Sequence, residues 1–428
     1  MSLRHSLYYL IFAIAVAASI MTGVLMQDSS IKALVFVVGV FMIWILGASF
    51  YGMTVSSTLI MIGTYFLKPL HMTNYIAIGL LVILLLTRYL SGTRNKMYIP
   101  YPVAMSVLLL FGCIALSKTY VADGRLYFVS TVIVPILVFV IIRNAQGSGQ
   151  DLLNWMRVIV IIATFVAMYG VLVAIRNPME RLGSTWATAM TINGFYTIAF
   201  FFAIGLSIQT VITEYRLLWA TAAVIIFFGM LYTYTRIAMV AVLFGLFMLM
   251  LRAKKMRLYG LIAMGLMPLV IPSSMAQRIA VGLSYDLSIL IRLIAWYNAM
   301  ILIIQHPFTG IGFSTWQEIY HGIMPIKRLY AQHAHNLYIN LALEMGLIGL
   351  IAYLSIIGKT LVSFYKKMVK PQNDIVQYTV LISVLAILVS CITDIFIQQY
   401  QISILFWVTL ALMYNKTKDV SECKTLNA

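Results

Sequence analysis

Long apolar runs follow one another along almost the whole 428-residue chain. An apolar run of about 18 residues or more is long enough to cross a bilayer as a helix. Candidate spans cover residues 7–26, 31–50, 51–67, 73–90, 99–117, 126–142, 153–175, 188–213, 217–235, 237–251, 258–272, 340–358, 376–397 and 401–414. Runs 31–50 and 51–67 lack a charge between them, and the last run is short. The pattern therefore predicts an all-α polytopic membrane protein with about 12–14 transmembrane helices. A barrel would need short alternating segments, whereas these runs are continuous. Residues are 62% hydrophobic and only 10% charged, too few charges to solvate a water-soluble surface of this size. Residues 1–428 read as one membrane domain, with no internal repeat.

The net charge of +17 invites a nucleic-acid reading, but the basic residues lie at loops and helix ends instead of in one stripe. Retention of Lys and Arg in cytoplasmic loops explains that distribution, so no nucleic-acid partner is expected. With the N-terminus inside, the dense clusters 252–257 and 359–370 both fall on the cytoplasmic side, as does the C-terminus with Lys416, Lys418 and Lys424. The first run follows Arg4 and His5 without a convincing small-residue cleavage site, which predicts a retained span. Cys113, Cys391 and Cys423 have neither metal nor disulfide spacing.

Residues 273–340 break the pattern. This stretch falls outside and forms one large outer loop between transmembrane helices, expected to hold short helices. It carries His306, His321, His333 and His335, four of the six histidines, together with Arg292. Within it, Leu287 to Ile304 is apolar enough to span, apart from Arg292. Crossing would bury a charge and move the 359–370 cluster outside, against the charge rule. A re-entrant or interfacial helix on the outer face is therefore predicted.

Arg236, after Tyr232-Thr233-Tyr234-Thr235, fits either a snorkelling helix-end arginine or a site residue. Arg292 fits either an interfacial arginine or one facing a cavity, where it would need an anionic partner; Asp394 is a candidate. Guanidinium groups suit phosphate oxygens because they are planar, permanently charged and multiply donating. His335 can be a hydrogen-bonded structural residue or a base, since an imidazole can accept a hydroxyl proton near neutrality. His333 and His335 are two residues apart, but no carboxylate or cysteine cluster accompanies them in the loop, so no metal is expected. No phosphate-binding loop or dinucleotide fingerprint appears. The rival class is a polysaccharide or lipid transporter. Transporters place broken helices and charges at the midplane, often as repeats, whereas these charges sit at outer helix ends.

Four patterns in order carry a resemblance. They are Arg181-Leu182-Gly183-Ser184 with Asn193; Thr235-Arg236; His306-Pro307 with Gly310-Ile311-Gly312-Phe313; and His335-Asn336 followed by Gly346 and Gly349. Together they resemble the O-antigen ligase/polymerase superfamily of bacterial membrane glycosyltransferases, over roughly residues 180–350. The resemblance implies a multi-pass protein of the bacterial inner membrane, with both termini cytoplasmic and the active site on the outer face. It implies transfer of a glycan from an undecaprenyl-diphosphate-linked donor to an acceptor hydroxyl, inverting and with no metal or other cofactor. By that likeness Arg236 and Arg292, with Arg181, hold the donor diphosphate, and His335 activates the acceptor. Asp394, Asn336 and His333 are supporting candidates. A ligase uses a lipid A-core acceptor and a polymerase a second lipid-linked glycan; the His-Asn spacing favours the ligase type. Trp316, Tyr320 and Tyr330 are candidates to stack on sugars.

Overall fold

A chain in hydrocarbon must satisfy its backbone hydrogen bonds within itself, so the apolar runs become helices. The computed structural model describes residues 99–145, 150–176, 188–252, 287–324, 326–368 and 375–413, with Arg257, Gly260, Leu261 and Gly265. The expected spans between 7 and 90, most of 258–272, and Arg181 with its Gly-Ser motif lie outside the described residues. Among the described residues, α1 is Pro102–Ser117, α2 Ala122–Phe128, α3 Val134–Ala145, α4 Gln150–Arg176, α5 Ala189–Gln209, α6 Thr213–Tyr232 and α7 Arg236–Arg252. The series continues with α8 Leu287–Gln305, α9 Trp316–Ile323, α10 Leu337–Met368, α11 Ile375–Ser390 and α12 Tyr400–Leu412. No strand occurs among them. Among the described residues, six helical stretches are long and apolar enough to cross a membrane: 123–143, 152–176, 189–209, 213–232, 287–305 and 337–366. The protein is an all-α, multi-pass membrane protein.

α5 lies at the centre of the bundle, buried along most of its length and packed on α4, α6, α7 and α11. Small residues let these helices approach closely, the usual solution where lipid supplies no hydrophobic drive between helices. A Cβ at Gly245 would collide with the Phe201 ring, and one at Gly229 would meet Ala167 Cβ at 2.8 Å. Trp407 of α12 is fully buried, edge-on to Phe139 and Tyr353. Arg143 is buried at the end of α3 with its guanidinium 5.7 Å from the Tyr101 ring centroid.

Two boundaries beside the histidine turn differ from expectation, both for local polar reasons. The run 376–397 was read as one span, but α11 stops at Ser390. The Asp394 carboxylate accepts its neighbour Ile395 N–H at 2.8 Å, an alternative to helical bonding that short acidic side chains offer. Asp394 thus stands in a connecting loop, residues 391–399, that includes a 3-10 turn, Phe396–Gln398. At the other site boundary, α10 begins at Leu337 instead of 340, because Asn336 Oδ1 caps it by accepting from Tyr338 N–H and Ile339 N–H.

α10 is kinked at Gly346, where φ is 74° and ψ 175°. The turn after α8 docks on this kink. Ile311 N–H donates to Leu343 O, Gly312 N–H to Glu344 O, and Leu347 N–H to Pro307 O. Gly310 and Gly312 have φ of 66° and 94°, and neither has room for a Cβ against the backbones of Glu344 and Ala115. The His-Pro-x-x-Gly-x-Gly pattern therefore builds a docking turn, with the His306 side chain exposed.

Candidate active site

The His333-Ala334-His335-Asn336 turn, the Arg292 face of α8 and the 391–399 loop converge at one end of the bundle. Arg292 Nε donates to Thr393 O at 3.2 Å, and its Nη1 donates to Ser288 O at 3.0 Å and to the Ser288 hydroxyl. These bonds fix the plane of the guanidinium. Leu337 N–H donates to Cys391 O at 2.9 Å, and Tyr338 hydroxyl to Leu388 O at 2.9 Å, which ties the start of α10 to that loop and to the end of α11.

Asp394 sits between the two histidines. Its Oδ1 lies 3.7 Å from His333 Nε2 and 3.7 Å from His335 Nδ1, a charge contact slightly longer than a hydrogen bond. Burial pushes the carboxyl up, but the two imidazoles and the Ile395 N–H outweigh it and hold it below its ordinary value. His333 is shifted the opposite way. Its own burial dominates, and with His335 and Arg292 nearby its pKa falls to about 4 despite Asp394. His333 is therefore neutral at physiological pH.

The hydrogen bonds also set the tautomers. His333 Nδ1 accepts the backbone N–H of His335 at 3.1 Å, so the proton of neutral His333 is on Nε2, facing Asp394. His335 Nδ1 also faces Asp394 and is buried, while the side chain keeps 23% exposure. A proton on Nδ1 suits the carboxylate and leaves the lone pair on Nε2, the arrangement a general base needs.

Donor atoms of His333, His335 and Asp394 lie within 4.8 Å of one another, close enough to consider a metal. The carboxylate that the loop lacked in sequence comes from the 391–399 loop that follows α11. The bonding pattern does not fit a metal, however. A ligating His333 Nε2 would need its proton on Nδ1, where the ring accepts a backbone N–H instead.

Arg236 begins α7. Its end of the bundle follows from packing. Tyr378 hydroxyl, early in α11, donates to Met248 O late in α7, and Arg252 Nη2 reaches Met368 O at the end of α10. α7 and α11 pack together and run antiparallel, so Arg236 lies at the Ser390 end, beside the loop that holds Asp394. Asn336 is a helix cap. Trp316 and Tyr320 are buried, stacked on each other at 4.5 Å and bonded to Ala331 O and Leu329 O, so they offer no face to a sugar. Tyr330 stacks on His321.

A buried amide chain escaped the sequence reading. Ala334 N–H donates to Asn340 Oδ1 at 3.4 Å, Asn340 Nδ2 to Gln398 Oε1 at 2.9 Å, and Gln398 Nε2 to Glu344 Oε2 at 2.9 Å. It braces the histidine turn against α10 and the 391–399 loop. The available signal was Asn340 and Glu344, one helical turn apart in an otherwise apolar run, because polar groups in a span are rarely idle.

Residues 221–354 match a family model described as O-antigen ligase. This stretch holds Arg236, Arg292, the docking turn, both clustered histidines and the Gly346 kink; Arg181 and Asp394 lie outside it. No curated protein matches the chain.

Proposed function

From the O-antigen ligase family domain that this chain carries across residues 221–354, we propose a ligase-type glycosyl transfer at the outer face of a bacterial inner membrane. The donor is an undecaprenyl-diphosphate-linked glycan, and the acceptor is a lipid A-core hydroxyl. The observation that carries this reading is the convergence of Arg292, His335 and Asp394 at the bundle end where α7 presents Arg236.

In the proposed reaction the acceptor hydroxyl attacks the anomeric carbon while its proton passes to His335 Nε2. The bond from that carbon to the diphosphate oxygen breaks, and the configuration inverts. Asp394 holds the Nδ1 side of His335 and stabilises the imidazolium as it forms, as an orienting carboxylate does in acyl transfer. Negative charge grows on the departing undecaprenyl diphosphate, which Arg236 and Arg292 stabilise in a low-dielectric site without requiring a metal. Because Ser288 and Thr393 hold the Arg292 guanidinium in place, little reorganisation is needed when that charge appears.

The placement of α8 supports an outer site. Lys118, just past the end of α1, bonds Thr309 and Gly310 of the docking turn. The turn and the part of α10 before Gly346 therefore sit level with the end of an apolar helix. Residues 347–368 of α10 remain, about 33 Å of helix, enough to span the hydrocarbon on their own. α8 lies beside the part above the kink, as an interfacial element carrying Arg292, within an outer loop of residues 273–340.

Product analysis tests the reading. Purified protein is incubated with undecaprenyl-diphosphate-linked glycan, with and without lipid A-core. Label moved onto the core supports a ligase; a ladder of longer lipid-linked chains identifies a polymerase. Arg292→Ala and His335→Ala should insert and purify normally but lose transfer. Full transfer by both variants would show the site to be misassigned.

A further inference from the structure

His335 occupies the left-handed backbone region, with φ of 48°. For a residue with a Cβ that conformation is strained and persists only when the surroundings enforce it. The enforcing contact is local. His333 Nδ1 accepts the His335 N–H at 3.1 Å, bonding from one side chain to the backbone two residues on, as an Asn or Asp side chain does in an Asx turn. The rest of the turn is held on both flanks: Ala334 N–H by Asn340, and α10 by its Asn336 cap. Among the described residues, the His333 ring is what bonds the backbone of His335 itself.

We propose that His333 is a positioning residue for this site: its Nδ1 closes a side-chain turn on the His335 N–H and thereby aims the His335 ring at Asp394. The family pattern begins at His335, so nothing in that pattern assigns His333 a role. The inference rests on the reading of His335 as the base. The turn explains why a buried, neutral histidine stands two residues before it. Neutrality is required, because a protonated His333 would carry a proton on Nδ1 and lose the acceptor. Burial supplies that neutrality. The Nε2 side, facing Asp394, is secondary: the backbone bond is what sets the direction of the catalytic ring.

Asparagine separates the two contacts. His333→Asn keeps an acceptor two residues before the His335 N–H and loses the imidazole facing Asp394; His333→Ala loses both. Displacing a reacting group by about 1 Å can cost on the order of 100-fold in rate. His333→Ala should therefore lower kcat by about 10- to 100-fold with the donor KM unchanged, and His333→Asn should return to within about 3-fold of wild type. Nitrogen NMR of labelled histidine, assigned with His335→Gln, reads the same geometry without turnover. Wild type and His333→Asn should show the His335 proton on Nδ1, and His333→Ala a tautomer mixture. Wild-type kcat in His333→Ala, or a His333→Asn variant as impaired as His333→Ala, overturns the proposal. If His333→Ala does not purify folded, His333→Asn decides alone: loss of transfer or of the Nδ1–H signal overturns it. His335→Ala is the control on the underlying reading. Transfer surviving in His335→Ala sinks the base assignment, whereas an inactive His335→Ala with an unaffected His333→Ala sinks only the positioning role.

Discussion

Replacing Gly346 by alanine should damage both stability and transfer, although the residue lies more than two helical turns along α10 from His335. Its φ of 74° and ψ of 175° fall in a region essentially reserved for glycine. A Cβ there would run into the Phe308 carbonyl and come within 2.7 Å of Thr309 N, which are backbone atoms with no flexible end to move aside. The protein has two ways out. It can keep the backbone and accept strain of about 1–3 kcal/mol plus the overlap. Alternatively the docking turn can withdraw, losing the three backbone bonds Ile311 to Leu343, Gly312 to Glu344 and Leu347 to Pro307, each worth about 0.5–1.5 kcal/mol net. Either route costs roughly 2–4 kcal/mol, which lowers Tm by several degrees in a domain of this size. Withdrawal of the turn also shifts the end of α8 and with it Arg292. Gly358, in the same helix with nothing within 4 Å of an added Cβ, is the control. There alanine gains about 1 kcal/mol of helix propensity, so Gly358→Ala should melt no lower than wild type. The assays are thermal unfolding of detergent-purified protein by tryptophan fluorescence and label transfer from lipid-linked donor. A Gly346→Ala variant that melts within a degree of wild type and transfers at the wild-type rate would refute the reasoning. So would a Gly358→Ala variant that falls as far.

The site residues carry further expectations. Arg292→Lys keeps the charge but cannot reproduce the fork that bonds Ser288 and Thr393, so transfer should drop by about 100-fold, measured as kcat. Asp394→Asn should lower kcat far more than it alters donor KM, because it removes the charge that balances a protonated His335; an equal change in both would point to binding instead. Asn340→Leu leaves the Ala334 N–H and Gln398 Oε1 without partners at a cost of roughly 2 kcal/mol or more, visible as a lower melting temperature. Acidification should also destabilise the protein. Between pH 6.5 and about 4 the unfolded His333 binds a proton that the native state excludes, so stability rises with pH through that window. The full effect is roughly 3 kcal/mol, and Asp394, held below its ordinary value, adds loss in the same direction at still lower pH. Melting curves from pH 7 to 4 measure it, and His333→Asn should flatten the slope.

Much of the architecture was legible in the chain because hydrocarbon tolerates so few backbone solutions. A continuous apolar run must be a helix, and 123–143, 152–176, 189–209 and 213–232 fall within four residues of the runs that foretold them, whereas 337–366 extends eight residues past its run and 287–305 was expected as an interfacial helix. Arg292 and His335 stood out for a related reason: charge and imidazole are conspicuous in an oily sequence. Near the site, boundaries were misplaced where a side chain caps a helix, at Asn336, or offers the backbone an alternative to it, at Asp394, since such local bonds are not sensed by hydropathy.

Partnership was decided only in three dimensions. By sequence, Asp394 is some sixty residues from the histidines and belonged to a helix end; folding sets one of its oxygens 3.7 Å from each ring. The docking glycines read as a motif, but their need for positive φ arises from the approach of α10. His333, which in sequence merely neighbours His335, becomes its backbone acceptor through a left-handed turn that no periodicity signals. Hydropathy is a sum over neighbours in the chain and survives in one dimension. Hydrogen bonds and charge contacts act over about 3–4 Å between groups distant in sequence, and only the packed bundle brings those groups within range.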